Sequence, residues 1–317
     1  MVWDEDITTG LEIKQDSGIK LDLKRCELLV KLALEEDIQQ GDITTISCIP
    51  REAQGKAIVR AKEVGIVCGL DIISCIFRIM RAGVDVETFT QDGAAIKKGD
   101  VIAIIRGPTR ALLTAERTIL NFLQQLSGVA TLTQQYVQQV EGYSTKILDT
   151  RKTVPGMRYL QKYAVRCGGG QNHRQGLYDM VMIKDNHIKA AGSIKNAFQL
   201  VQHLRLRNRE KKMTGEKNLK EDNLKVEIEC STLEEVQEAL TTDCDWIMLD
   251  NMPLSMMKAA MSLIRGQRIV EASGDMTLER VKSVARLGVD YISVGALTHS
   301  AKALDMNMKN SAPGRRL

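Results

Sequence analysis

Basic side chains are concentrated in and just before the stretch CGGGQNHRQGLYDMVMIKDNH, residues 167–187, which also holds two of the four histidines of the chain. The members of this group are Arg151, Lys152, His173, Arg174 and Lys184. So many neighbouring cations would repel one another unless anions bind among them. Arg offers a planar fork that matches a carboxylate or a phosphate, and Lys supplies a mobile point charge. The pattern therefore indicates a binding site for polyanions.

Two carboxylates, Glu229 and Asp250, lie at the ends of consecutive predicted strands, KVEIE (225–229) and DWIML (245–249). Their spacing leaves two interpretations open. They are either ordinary salt-bridge partners of the cations or a site for Mg²⁺ and sugar hydroxyls. Hard oxygen ligands suit Mg²⁺, which keeps much of its water and is often carried by substrate phosphates.

Six short apolar runs, separated by helical segments, predict a sheet of parallel strands. They cover residues 146–149, 179–183, 225–229, 245–249, 268–272 and 290–294. Repetition of this kind is typical of an α/β barrel or a doubly wound sheet. Each run is followed by a polar group or a glycine, and active sites of parallel barrels are built at the carboxyl ends of the strands.

Glycine-containing turns follow the last two predicted strands, at Ser273 and Gly274 and at Gly295. Backbone N–H groups in such turns can bind a phosphate at the start of the next helix. Taken singly, these turns are common and mostly structural. With the cations and the two acids, however, they predict a barrel enzyme that acts on a phosphorylated and carboxylated substrate, with Mg²⁺.

The N-terminal part of the chain mixes strands and helices without strict alternation, which indicates an α+β sandwich. It ends in a long amphipathic segment, residues 109–140, that we expect to be kinked or broken at Ser127 and Gly128. A chain of 317 residues with 44% hydrophobic content is long enough for one large domain or two ordinary ones.

The composition limits which binding partners and which cellular compartment we expect for this protein. The seven cysteines form no CxxC pair and no apolar run reaches transmembrane length, which predicts a cytoplasmic protein without a membrane partner. The net charge of +4 is concentrated in residues 203–222, where no aromatic residue interleaves the basic ones. We interpret that segment as a solvated surface excursion rather than a nucleic-acid site.

Six motifs, in order and with fitting gaps, resemble the quinolinate phosphoribosyltransferase family, also called the carboxylating nicotinate-nucleotide pyrophosphorylases. The motifs are DTRKTVPG (149–156), GGGQNHRQGLYDMVMIKDNH (168–187), VEIE (226–229), IMLDN (247–251), EASGD (271–275) and SVGALTHS (293–300). The resemblance extends through residues 32–45 and 115–128, so it covers nearly the whole chain. The charged segment at 203–222 is the one clear departure, and it lies between strands.

The resemblance implies the type II phosphoribosyltransferase fold. An N-terminal open α/β sandwich, residues 1–128, would be joined to an incomplete α/β barrel, residues 129–298, and a C-terminal helix, residues 299–317, would pack back on the first domain. The implied reaction condenses quinolinate with phosphoribosyl pyrophosphate to give nicotinate mononucleotide, pyrophosphate and CO₂. The implied assembly is a homodimer with shared active sites, or a higher homo-oligomer.

The resemblance also assigns roles to particular residues. Those that would bind quinolinate are Arg151, His173, Arg174, Lys184 and, from a neighbouring subunit, Arg117. Those that would bind phosphoribosyl pyrophosphate are Lys152, Glu229, Asp250, Ser273, Gly274, Gly295 and His299. Lys152, Glu229 and Asp250 would be catalytic, and the two acids would hold Mg²⁺ directly or through water.

Three other functions stay open on the residues alone. A related phosphoribosyltransferase, one that prefers nicotinate or one associated with molybdenum transport, would share the ribose-phosphate half of the site. A barrel aldolase would use Lys184 to form a Schiff base. A non-catalytic protein would bind RNA through residues 203–222, in a salt-dependent manner.

Overall fold

The computed structural model describes residues 20–213 and 224–311. The N-terminal strands are β1 (Gln54–Ala61), β2 (Gly65–Ile66), β3 (Asp85–Thr88), β4 (Ala95–Ile96) and β5 (Val101–Pro108). The strands that follow are β6 (Lys146–Leu148), β7 (Val181–Ile183), β8 (Val226–Cys230), β9 (Trp246–Asp250), β10 (Ile269–Ser273), β11 (Tyr291–Ser293) and β12 (Met306–Ser311).

Helices cover the sheets and connect the strands. They are α1 (Leu23–Ile38), α2 (Ile43–Cys48), α3 (Leu70–Ile79), α4 (Thr109–Gln139), α5 (Arg158–Cys167), α6 (Asp185–Ala191), α7 (Ile194–Met213), α8 (Leu233–Leu240), α9 (Leu254–Ile264), α10 (Leu278–Ala285) and α11 (Ala296–His299). Their starts follow local chemistry. In α8, Thr232 and Glu235 form a capping box, in which each side chain accepts the backbone N–H of the other residue.

All six predicted strands of the C-terminal half are confirmed and form one sheet in the order β6-β11-β10-β9-β8-β7. Every ladder in this sheet is parallel. Among the described residues β6 and β7 do not pair with each other, and the backbone of Leu148 in β6 bridges instead to Gln171. The barrel is therefore incomplete, as predicted, and its strands deliver their carboxyl ends to one rim.

The N-terminal half holds an antiparallel sheet of order β12-β1-β5-β3, which confirms the α/β sandwich. The predicted C-terminal helix over residues 299–317 is wrong for residues 306–311, because these form β12 and pair antiparallel with β1. Met306 and Met308 are buried while Lys309 is exposed, and this alternation has the period of a strand. Residues 312–317 lie outside the described residues.

The predicted kink or break at Ser127 and Gly128 corresponds to no interruption, because α4 is one helix of 31 residues. Both residues serve tertiary contacts. The Ser127 hydroxyl oxygen accepts the N–H of Cys68 at 3.0 Å. A Cβ at Gly128 would overlap the carbonyl oxygen of Lys302. The glycine therefore lets the segment before β12 cross α4 at close range.

Replacing Gly128 by alanine is expected to lower the free energy of unfolding by about 1–3 kcal/mol, because the added methyl group meets backbone rather than a movable side chain. The same change in an open helix would raise stability by about 1 kcal/mol. Chemical denaturation measures the difference. The exposed helical residue Gln135 is the control, since Gln135→Ala should leave the free energy of unfolding unchanged. Equal stability of Gly128→Ala and the parent would contradict the close crossing.

The charged segment predicted as a surface excursion, residues 203–222, begins within α7, whose backbone is helical as far as Met213. The part from residue 214 onward lies outside the described residues. Within the described ranges, none of the helices combines the length and the apolar character needed to cross a bilayer.

Candidate active site

A cavity of about 820 Å³ opens at the carboxyl ends of the parallel strands. Its walls include every predicted site residue except Arg117, namely Arg151, Lys152, His173, Arg174, Lys184, Glu229, Asp250, Ser273, Gly274, Gly295 and His299. A second cavity, of about 630 Å³, lies at the amino end of β6 and includes Glu141 and Lys146 but no group of cations. The first cavity is therefore the candidate active site.

Arg117 lies on α4, where its side chain is exposed. It is not among the residues around the cavity of its own chain. Its predicted role, in the site of a neighbouring subunit, stays a prediction.

Alternation along two strands arranges acids and hydroxyls in two layers. Glu227 and Glu229 point to the same side of β8, as Glu271 and Ser273 do in β10, because side chains two residues apart share a face. Glu229 and Ser273 line the cavity near the rim. Glu227 and Glu271 are fully buried one layer below and form, with His173, the floor.

His173 is held by contacts within the protein at both ring nitrogens. Its Nε2 lies 3.1 Å from the Oε2 atom of Glu227 and 3.0 Å from that of Glu271. Its Nδ1 accepts the N–H of Arg174 at 2.6 Å, so in the neutral ring the proton resides on Nε2. Burial acts to lower the pKa of His173, but the hydrogen bonds and charges of the two glutamates outweigh it and raise the pKa. The N–H that Nδ1 accepts from Arg174 opposes that rise, because it requires Nδ1 to carry no proton.

The two buried glutamates were not predicted as site residues. Burial, followed by the neighbouring charge of Glu271, raises the pKa of Glu227 to about 8. The signal that could have found them is an acid inside an apolar strand, as in KVEIE and RIVEA. A buried carboxylate without a partner is costly, so each of these sequences points to a basic group nearby.

Lys184 and Glu229, which the resemblance assigns to different substrates, form an ion pair with each other across β7 and β8. The side chain of Glu229 is 10% exposed and that of Lys184 is 41% exposed. The N–H of Lys184 donates to Nδ1 of His187 at 2.9 Å, which fixes the start of α6. The cation at the rim is thus positioned before any substrate arrives.

A buried ion pair supports the loop that carries His173. The carboxylate of Asp149 pairs with Lys162 and accepts the N–H of His173 at 2.9 Å. It also accepts the side-chain amide of Asn172 at 2.6 Å. Lys162 donates a second hydrogen bond, of 2.9 Å, to the carbonyl oxygen of His173. Both charged groups are almost completely buried, so the loop is fixed from behind.

The glycine turns lie on the opposite side of the cavity from the β7–β8 ion pair, after β10 and β11. A Cβ at Gly295 would lie 3.1 Å from both the Nε2 atom of His299 and the Cδ atom of Lys152, so both side chains approach this glycine closely. The hydroxyl of Thr298 donates to the carbonyl oxygen of Lys152 at 2.7 Å. Lys152 and His299 therefore converge over bare backbone at the start of α11.

The donor set at the rim fits a hard divalent cation. Glu229 and Asp250 lie on neighbouring strands and present carboxylate oxygens to the same cavity. Asp250 is only partly buried, so water molecules have room to complete a coordination shell. Oxygen ligands with retained water are the environment that Mg²⁺ prefers.

The incomplete parallel barrel joined to an antiparallel sandwich matches the type II phosphoribosyltransferase fold that the resemblance implied. Two family models match the chain. The model of the quinolinate phosphoribosyl transferase C-terminal domain covers residues 129–309, and that of the N-terminal domain covers residues 42–127. The chain belongs to the quinolinate phosphoribosyltransferase family.

Similar proteins and solved structures agree with this family assignment. The chain is 44% identical to a chloroplastic carboxylating nicotinate-nucleotide pyrophosphorylase of Arabidopsis thaliana, over 95% of this chain and 86% of the relative. It is 42% identical to the probable carboxylating nicotinate-nucleotide pyrophosphorylase of Bacillus subtilis, over 86% of this chain and 89% of the relative. The crystal structure of NadC from Streptococcus pyogenes superposes with a TM-score of 0.82 at 37% identity, covering 92% and 99% of the two chains.

Proposed function

We propose that this protein transfers the phosphoribosyl group of phosphoribosyl pyrophosphate to quinolinate, with decarboxylation, and so makes nicotinate mononucleotide for NAD biosynthesis. Family membership over both domains supports this activity. The observation that carries it is the composition of one cavity, which brings together a group of cations, two acids and two glycine turns. Such a cavity can hold a diacid and a phosphorylated sugar side by side.

The two arginines of the cavity can still bind an anion. The Nε atom of Arg151 is buried and has no hydrogen-bond partner among the described residues. Burial lowers the pKa of Arg174, and the charge of Arg151 lowers it further. A carboxylate between the two guanidinium groups would relieve both effects, since Arg binds carboxylate through two parallel hydrogen bonds. With Lys184, these groups form a clamp for the two carboxylates of quinolinate.

His173 would not contact quinolinate in the way that the arginines do. Both of its ring nitrogens already have partners in the protein. It contributes a polar floor beneath the clamp, whereas Arg151, Arg174 and Lys184 supply the direct ionic contacts.

The part of the cavity next to the clamp would hold phosphoribosyl pyrophosphate. Glu229 and Asp250 would bind Mg²⁺, directly or through water. When bound, that ion neutralises charge on the pyrophosphate as it leaves. Lys152 adds a fixed cation, and the turns at Ser273, Gly274 and Gly295 would bind the 5′-phosphate through backbone N–H groups, with His299 beside them.

In this reaction the protein's main task is to position the two substrates relative to each other. The pyridine nitrogen forms a bond to the anomeric carbon while the bond from that carbon to pyrophosphate breaks. The clamp must hold the nitrogen in line with that bond. The resulting pyridinium ring accepts the electron pair of the C2 carboxylate as CO₂ leaves, and a proton then takes its place at C2. No strong general base is needed.

The proposed activity is tested by incubating the protein with quinolinate, phosphoribosyl pyrophosphate and Mg²⁺ and identifying the products by mass spectrometry. Nicotinate mononucleotide is expected, and omission of the metal should stop its formation. A parallel reaction with nicotinate is the control. Turnover of nicotinate but not of quinolinate would favour the nicotinate-preferring alternative. Trapping of a carbonyl compound on Lys184 by borohydride would favour the aldolase.

We also propose that the working unit is a dimer with shared sites, in which Arg117 completes the quinolinate clamp of a neighbouring subunit. The exposure of Arg117 away from its own cavity supports this arrangement. Arg117→Ala and Lys184→Ala are each expected to lose nearly all of the parent activity. Mixed in equal amounts and allowed to exchange subunits, they should regain about a quarter of the parent activity, because about half of the dimers are hybrids and one of the two sites in each hybrid is intact. Persistent inactivity of verified hybrids would contradict shared sites.

The cytoplasmic location predicted from composition stays a proposal. The names of relatives place some of them in chloroplasts and others in mitochondria. Fractionation of cells that express the full natural protein would decide among these compartments.

A further inference from the structure

Asn251, directly after β9, has an unusual backbone conformation for a residue with a side chain. Its φ angle is +54°, in the left-handed region that costs most residues energy and that Asn tolerates better than others. The residue lines the candidate active site between Asp250 and the Ser273–Gly274 turn. Backbone outliers of this kind cluster at functional sites.

The side chain of Asn251 turns back on its neighbour. Its Nδ2 donates to the Oδ2 atom of Asp250 at 2.7 Å. Within the described part of the chain, this is the hydrogen bond that fixes the Asp250 carboxylate. A rotation of that carboxylate would carry its oxygens away from the sugar and the cation that we assign to it.

The same residue contacts the glycine turn after β10. The backbone N–H of Asn251 donates to the carbonyl oxygen of Ser273 at 3.0 Å and so extends the β9–β10 ladder by one residue. The amide group of Asn251 covers the Cα atom of Gly274, where any Cβ would overlap it. Gly274 itself has a φ of +94°. The turn is therefore shaped around the Asn251 side chain.

Arg280, near the start of α10, is hydrogen-bonded to the loop after β9 and to the loop after β10. Its guanidinium donates to the carbonyl oxygen of Met252 at 2.8 Å and to that of Gly274 at 3.2 Å. Because these contacts are to backbone oxygens of both loops, they hold the two loops at a fixed separation. On the cavity side, the Asn251 side chain reaches from the first loop to the Cα atom of Gly274 in the second.

We propose that Asn251 is a positioning residue that holds the Asp250 carboxylate and the Ser273–Gly274 turn in one arrangement, so that the ribose and the 5′-phosphate of one substrate are bound together. The inference rests on the proposed function, because it names phosphoribosyl pyrophosphate as that substrate. No role was predicted for Asn251 from the sequence. The competing interpretation is that Asn251 only ends a strand in a left-handed turn.

Asn251→Gly separates the two interpretations. Glycine adopts the left-handed conformation without strain, so a residue needed only for the turn can be replaced at no loss. If the amide positions Asp250 and the turn, loss of a hydrogen bond to a charged group should weaken binding of phosphoribosyl pyrophosphate with Mg²⁺ by about tenfold or more in a calorimetric titration. Binding of quinolinate should change by less than about twofold.

Arg265→Gly is the matched control, because Arg265 is another non-glycine residue at positive φ, +47°, and is exposed at the end of α9, where it does not line the cavity. Its substrate affinities should equal those of the parent. Asn251→Asp gives a second variant, which keeps the size and the turn but replaces the donor by an acceptor. It should bind the sugar phosphate at least as poorly as Asn251→Gly.

Parent-like affinity for phosphoribosyl pyrophosphate in Asn251→Gly and Asn251→Asp would overturn the inference and leave the proposed function intact. Equal weakening for quinolinate and the sugar phosphate would also overturn it, since that result indicates a general disturbance of the cavity. Failure of the proposed function is a separate outcome, in which the parent protein makes no nicotinate mononucleotide from the two substrates.

Discussion

Replacing Lys184 by methionine is expected to lower kcat/KM for quinolinate by about thirtyfold to a hundredfold. The variant removes a fixed cation from the clamp and leaves Glu229 without its ionic partner. Truncation of one member of a hydrogen-bonded charge pair costs about 2–5 kcal/mol, and the lower part of that range applies because Lys184 is 41% exposed. Methionine keeps most of the aliphatic stem, so packing changes little.

Lys189→Met is the matched control for this experiment. Lys189 lies on α6 and pairs with Asp185 at 3.0 Å, but its side chain is 74% exposed and it does not line the cavity. Steady-state kinetics should show a KM for quinolinate within about twofold of the parent, in keeping with the small value of surface ion pairs. Equal effects of the two substitutions would mean that Lys184 acts only through overall charge.

Replacing Lys162 by methionine is expected to lower the free energy of unfolding by about 3–5 kcal/mol, because it leaves the carboxylate of Asp149 buried without a counter-charge. The side chains of Lys162 and Asp149 are 1% and 0% exposed. Loss of the pair would also release the loop at His173, to which both groups are hydrogen-bonded. Denaturant titration of the purified variant gives the value.

Two further variants test the cause of that loss. Lys162→Met combined with Asp149→Asn should recover part of the stability, since the amide is neutral and its oxygen can still accept the N–H of His173. Lys225→Met breaks an ion pair with Asp245 in which the lysine is 64% exposed, and it should cost less than about 1 kcal/mol. A loss for Lys162→Met as small as that for Lys225→Met would contradict a buried, charged pair.

Local patterns predicted the barrel half of the fold well, because each strand there is a short apolar run whose pairing partners repeat at regular intervals. The C-terminal strand β12 gave no such signal. Its sequence, MNMKNS, is polar apart from two methionines, and its partner β1 lies some 250 residues earlier in the chain. Only the distant contact makes it a strand, and the helix expected there was implied by the family resemblance rather than by any pattern in these residues.

The kink or break predicted at Gly128 is wrong for a similar reason. A glycine beside a serine inside a helical pattern indicates a break when only the local sequence is considered. In the structure the same residue is small so that the backbone at Lys302 can pass. The requirement arises from a segment about 170 residues away, which no local periodicity reports.

The rim of the candidate site was predictable because charged residues at strand ends share an edge of the sheet. The layer beneath it was not. Glu227 and Glu271 were counted as strand residues, yet both carboxylates meet the ring of His173. Likewise, Lys184 and Glu229 were assigned to separate substrates but contact each other. Sequence motifs identify which residues belong to a site, whereas side-chain pairing depends on the register of strands that are far apart.

We propose that one cavity neutralises a pyridine diacid and a pyrophosphorylated sugar side by side. A crystal structure with quinolinate, Mg²⁺ and a non-reactive analogue of phosphoribosyl pyrophosphate tests it most directly. We expect the two carboxylates of quinolinate to lie against Arg151, Arg174 and Lys184, and the sugar phosphate to lie between Asp250 and the turns at Gly274 and Gly295. Density for either ligand only at another face of the molecule would contradict this arrangement.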